Sequence, residues 1–188
     1  MITGVTLAVS ESSATAARAA IAEAGRRGIP VACVINHRPA LGGDVAALIG
    51  LLEGSDIVIG SHEDLVGLFG DARSGRQRLI GDGLDDREIV ITDGARAATV
   101  ITAGGSWSQP VPAGEVRNAA GAGDALAGAY LAARLTGRAP AEALAPAVAA
   151  ASISVGRDGC AASYPSAVEV EAALDTLPER ASAITTGA

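Results

Sequence analysis

The chain has 188 residues, 49% of them hydrophobic and only 2% aromatic, so it is long enough for one domain whose core is built mostly from Ala, Val, Leu and Ile. Its net charge is −7, all fourteen basic residues are arginine, and no long basic run occurs, which argues against nucleic acid and anionic membranes as partners. Without lysine there is no Walker A loop, and without HExxH, GxSxG or a strand-linked GxGxxG the zinc peptidase, hydrolase and common dinucleotide readings lack support.

The two cysteines, Cys33 and Cys160, have no CxxC spacing and no secretory leader stands ahead of them, so a reducing cytoplasm is the expected compartment. The longest apolar run, around residues 144–155, is too short to span a bilayer and contains Pro146.

In chain order, GVTLAV (residues 4–9) reads as a strand. Ser12 or Ser13 then caps a helix running to Arg27, with Gly28 as its stop. PVACVI (30–35) reads as a second buried strand and residues 44–54 as a second helix. DIVIG (56–60) follows, then Ser61-x-x-Asp64, a capping-box-like start for a short helix to Phe69. Residues 88–94 give a further strand; AATVIT and WSQPVP after it read as a hairpin or meander. From Gly121 the pattern is helical to about Leu135, with Gly137 as stop. A helix over 141–155, disturbed by Pro146, and a last one capped by Ser166 with Glu169 three residues on complete the chain. Apolar strands alternating with helices predict an α/β fold, three-layer α/β/α with a mostly parallel sheet, and ligands at the carboxyl ends of the strands. One domain over residues 1–180 and a loose tail over 181–188 are expected.

The stretch RNAAGAGDALAGAYLAAR (117–134) sets Gly121, Ala122 and Gly123 ahead of Asp124 at the start of a helical pattern. Bare backbone leading into a helix suits an anion, because free N–H groups and the helix dipole both favour negative charge. A carboxylate at the same place repels an anion. Either Asp124 is only a helix cap, or its charge has a chemical task beside the anion.

These segments together resemble the ribokinase-like (PfkB) carbohydrate kinases. NAAGAGDALAGAYLAARL is similar to that family's C-terminal signature, and IVITDGARAATVI (89–101) resembles its strand-turn near nucleotide phosphates. GVTLAVSESS, VACVINHRP and DIVIGSHEDL resemble, in order, segments of the 2-keto-3-deoxygluconate kinase branch, and GCAASYPSAVEVEAAL (159–174) matches the usual ending.

The resemblance implies ATP-dependent phosphorylation of a sugar or sugar acid, with ATP and Mg²⁺ as cofactors. Amides at Gly121, Ala122 and Gly123 would form the anion hole, and Asp124 would accept the sugar hydroxyl's proton. Thr92, Gly94 and Asn118 would approach the nucleotide, Arg38 the substrate or transferred phosphate, and Glu63 the metal through water. Plainer readings stand beside these: Glu63 and Asp64 favour a helix start, Arg38 is a solvated loop arginine, and Gly94 is a turn glycine. His37 and His62 read as ordinary loop residues and Cys33 as core.

The chain departs from the family pattern at Asn118-Ala119-Ala120, at Val34 and at Ala97. The resemblance also places Met1 well inside the family's sheet. The opening strands, lid sheet and most sugar contacts are then missing, so little activity is expected of the chain alone. An apolar edge at residues 4–9 would favour a homodimer. The alternatives are another PfkB sugar or nucleoside kinase, or a catalytically silent nucleotide-binding remnant.

Overall fold

In the computed structural model, which describes residues 1–81 and 83–180, the first strand is short: β1 covers Ile2–Thr3 and the chain then turns into helix α1, Gly4–Ala8. This corrects the strand expected over residues 4–9. Thr3 Oγ1 accepts the Thr6 N–H at 3.2 Å and so caps a helix. Gly4 explains why the chain turns there: a Cβ at that position would lie 2.1 Å from the Ile35 carbonyl oxygen, so only glycine fits against the neighbouring strand end. No strand edge therefore exists over 4–9; the edge strand is the two residues Ile2–Thr3.

Helix α2, Glu11–Arg26, starts two or three residues earlier than expected because Ser10, with its Oγ accepting the Ser13 N–H at 3.1 Å, is the cap. It ends in a Schellman motif: Gly28 has φ +63°, Ile29 N donates to Ala24 O, and Gly28 N donates to Gly25 O. Strand β2, Ala32–Val34, and strand β3, Ile57–Ser61, pair in parallel with Cys33 opposite Val58, while β1 pairs in parallel with β2. Between them lies α3, Val45–Glu53, capped by Asp44. The Ser61–Asp64 capping box forms as read and opens α4, His62–Phe69. Helix α5, Ala72–Ile80, capped by Asp71, has no counterpart in the sequence reading. Strand β4 follows at Glu88–Thr92.

Strands β5, Ala97–Thr102, and β6, Gly105–Pro110, form the antiparallel hairpin, with Val100 opposite Trp107. Helix α6, Ala122–Leu135, α7, Pro140–Val155, and α8, Ala167–Ala173, complete the set, and α7 runs through Pro146 as one element. The strands hydrogen-bond in the order β1-β2-β3-β4-β5-β6, a mixed six-stranded sheet.

The Cα packing divides the chain into two compact units, Met1–Val90 and a second beginning at Ile91. In the first, Cys33, Leu52, Val58, Leu65, Leu79 and Ile89 are completely buried. In the second, Val100, Tyr130, Leu144 and Ala147 are completely buried, and α6 packs along α7 through small side chains that let the two backbones approach. Among the described residues no helix is long and apolar enough to cross a membrane. The tail expected over 181–188 lies outside the described residues.

Candidate active site

Helix α6 begins without a side-chain cap. Its N-cap is Gly121, in the left-handed region at φ +87° and ψ −6°, which a residue with a Cβ adopts only under strain. The first i to i−4 bond is Ala125 N to Gly121 O at 2.9 Å, and Ala122 N reaches Ala119 O at 3.3 Å. Among the described residues the N–H groups of Gly123 and Asp124 have no hydrogen-bond acceptor, and both residues are exposed. These are the orphan donors of a helix start, with the positive end of the dipole behind them. Asp124 occupies the third position of the first turn.

The turn ahead of the helix is held by Asn118. Its Oδ1 accepts the Ala120 N–H at 2.9 Å and its Nδ2 donates to the Gly159 carbonyl at 3.3 Å. The backbone before it is tied to α7, with Arg117 N and Asn118 N both donating to Val155 O. Beside this turn opens a mostly apolar cleft of ≈ 870 Å³ lined by Thr92, Gly94, Ala119, Ala122, Gly123 and Leu126, among others. Gly94 sits at φ +54° in the β4–β5 turn, where Asp93 N donates to Ala97 O and Arg96 pairs with Asp93. The second unit thus gathers Thr92, Gly94, Ala122 and Gly123 around one cleft, whereas Asn118, Gly121 and Asp124 adjoin lining residues in the chain but do not line it themselves.

Arg38 and Glu63 belong to the first unit. Both are exposed, Arg38 in the loop after β2 and Glu63 in the first turn of α4. Asp64 joins the two segments: its Oδ1 accepts the His37 N–H at 2.8 Å, and its Oδ2 accepts the Ser61 N–H and hydroxyl. Asp64 is therefore structural, whereas Glu63 makes no hydrogen bond or ion pair among the described residues. No cluster of three or more His, Cys, Asp or Glu able to hold a metal ion occurs among the described residues. A divalent cation here would need phosphate and water oxygens for most of its shell, which suits Mg²⁺.

Sequence reasoning missed two side chains packed on the Gly121 turn, Cys160 and Tyr164. No local motif marks them, and they stand about 40 residues downstream of the turn; the sole signal was their place in the matching terminal segment. Burial, a bond to Cys160 and the nearby Asp124 charge push the Tyr164 phenol up to about 12. Burial alone raises the Cys33 thiol to about 12, as befits a core residue.

Comparison with known proteins bears on the fold and the family. An aminoimidazole riboside kinase of Salmonella enterica, solved with aminoimidazole riboside and an ATP analogue, matches with a TM-score of 0.81 at 23% identity over 90% of this chain and 60% of its own. A fructokinase of Vibrio cholerae O395, solved with fructose, ADP and calcium, matches with a TM-score of 0.82 at 23% identity over 92% and 59%. The fold is therefore the three-layer α/β/α fold of the ribokinase-like kinases.

The family model of pfkB family carbohydrate kinases matches residues 1–167, and the chain belongs to that family. It is 35% identical over 182 residues to the 2-dehydro-3-deoxygluconokinase of Thermoproteus tenax and 32% identical over 123 residues to the ATP-dependent ribose-1-phosphate kinase of Halopiger xanaduensis. The matches cover 93% and 65% of this chain but 54% and 40% of those relatives, so the chain spans about half the length of the curated relatives it matches.

Proposed function

We propose that this protein transfers the terminal phosphoryl group of ATP to a hydroxyl of a sugar or sugar acid, with 2-keto-3-deoxygluconate (2-dehydro-3-deoxygluconate) the first candidate. The observation that carries the reading is the uncapped start of α6, where free amides and Asp124 share one helical turn whose Ala122 and Gly123 line the cleft. Phosphoryl transfer needs positioned donors for the charge on the transferring group and a base for the attacking hydroxyl, and little more. A cleft of ≈ 870 Å³ with apolar walls is of the size that takes a nucleotide.

Bound together, ATP would supply the phosphoryl group and Mg²⁺ would neutralise charge on its phosphates. The amides at Gly121 and Gly123 donate to the oxygens of the transferring group, and that of Ala122 joins them by leaving the Ala119 carbonyl it reaches at 3.3 Å. The Asp124 carboxylate takes the proton of the sugar hydroxyl, so its proximity to the anion site has a purpose. Thr92 and Gly94 offer a bare turn for the polyphosphate, and Asn118 holds the anion turn in shape. In the first unit, the family resemblance gives Arg38 the pairing with a carboxylate or phosphate oxygen and Glu63 the ordering of water around a cation. The 2-dehydro-3-deoxygluconokinase relative supports the sugar acid, and the ribose-1-phosphate kinase relative keeps other sugars in the panel.

A nucleotide-binding protein without turnover is the second reading. Ala119 and Ala120 favour it, since neither carries a hydroxyl to meet a phosphate. A coupled ADP-release assay over sugars and sugar acids, run beside calorimetry with a non-hydrolysable ATP analogue, separates the two. Sugar-dependent ADP release supports the kinase; nucleotide binding with no release from any sugar supports the second reading.

A further inference from the structure

We propose that Tyr164, with Cys160 beside it, is a positioning residue for the 118–121 turn: the two side chains fill the space behind Gly121 and so aim the first amides of α6. The inference deepens the nucleotide reading above and rests on it.

A Cβ built on Gly121 would stand 2.8 Å from Cys160 Sγ, 3.0 Å from Tyr164 Cε1 and 3.1 Å from the Tyr164 hydroxyl oxygen. The aromatic ring and the thiol therefore occupy the place where a side chain at position 121 would lie. Gly121 carries no side chain to restrict its left-handed conformation, so packing against it adds to the brace that Asn118 supplies. An anion hole works only if its donors are fixed before the ligand arrives.

The segment carrying these two residues is itself anchored. Gly159 O accepts the Asn118 side chain, and Ser163 Oγ donates to Cys160 O at 2.6 Å. The hydroxyls of Ser154 and Ser163, both residues completely buried, share a bond at 2.7 Å and tie the segment to α7. Residues 159–164 thus form a wall fixed to α7 at one side and touching the turn at the other. The Tyr164 hydroxyl lies 3.8 Å from Cys160 Sγ, and its phenol stays protonated across neutral pH. The ring, rather than a phenolate charge, makes the contact, so phenylalanine should replace it.

The test combines calorimetry and thiol labelling on the 188-residue chain with a non-hydrolysable ATP analogue and Mg²⁺. Tyr164→Phe should bind within about threefold of the parent and Tyr164→Ala about tenfold more weakly, at similar melting temperatures. Cys33 is buried, so iodoacetamide reads Cys160 in the folded protein, and saturating nucleotide should slow that alkylation in the parent. If Tyr164→Ala does not fold, Tyr164→Leu, expected to bind more weakly than Tyr164→Phe, and the parent's labelling rate decide the matter. A parent that binds while Tyr164→Ala or Tyr164→Leu binds equally well, or whose Cys160 labelling ignores bound nucleotide, overturns this inference alone. A parent that binds no nucleotide overturns the nucleotide reading and this inference with it.

Discussion

The side-chain amide of Asn118 donates to the carbonyl of Gly159 at 3.3 Å, joining points 41 residues apart. The same side chain accepts the Ala120 N–H at 2.9 Å, so one residue fixes the turn both internally and to the wall behind it. Asn118→Ala removes both bonds and leaves the turn free to shift. We expect affinity for an ATP analogue to fall about tenfold, the loss of roughly one net hydrogen bond's worth of positioning. Unchanged affinity by calorimetry would show that the turn needs no such brace.

Asp124→Asn keeps the shape of the first turn of α6 and removes its charge. In a preparation that turns over, sugar-dependent ADP release should drop at least about 100-fold, the range for loss of a positioned base. ATP affinity should hold or rise, because a like charge beside the phosphates is gone. Turnover near the parent rate means the proton goes elsewhere.

In the first unit, the Arg87 guanidinium donates to three carbonyl oxygens, those of Leu52, Ser55 and Leu79, at 2.8–3.1 Å. It closes the ends of α3 and α5, whose last carbonyls have no helical partner. Arg87→Met keeps the length and removes the donors. Urea denaturation should show a loss of about 3 kcal/mol, since bonds from a charged donor are lost and acceptors left open. A loss within experimental error would show that water replaces the guanidinium without cost.

Glu169 closes the capping box of α8: its carboxylate accepts the Ser166 N–H and hydroxyl, and it pairs with Arg157. Those bonds, the Ser166 backbone first, pull its pKa from the ordinary 4.5 down to about 2. A depressed carboxylate stabilises the fold above its unfolded value, and that contribution disappears as pH falls from about 4.5 through about 2. Glu169→Gln should lower the melting temperature at neutral pH and flatten its dependence on pH in that window. An identical acid profile in parent and variant contradicts the assignment.

Local signals made much of the fold legible. Ser61 and Ser166 cap the helices that their spacing announced, because a cap and its target lie three residues apart. The buried strands β2 and β3 fell where short apolar runs sat between turn residues. The misread stretch, residues 4–9, is apolar enough for a strand. Its fate is set by Gly4 touching Ile35 across the fold, a contact invisible in sequence. Helix α5 was hidden by its arginines, although Asp71 ahead and Gly81 behind mark its ends. The same division runs through the candidate site. Residues 121–124 lie consecutively and could be read directly, whereas Tyr164 reaches the turn only through the packing of the segment after α7.

The central claim is that the first amides of α6 hold a phosphate chain, and an ¹H–¹⁵N NMR titration of the 188-residue chain with Mg²⁺ and a non-hydrolysable ATP analogue tests it most directly, since it detects even weak binding. The resonances of Ala122, Gly123 and Asp124 should move among the most strongly, with saturation, and inorganic triphosphate should move the same set. Nucleotide-induced shifts confined to other residues, or none at all, would contradict the claim.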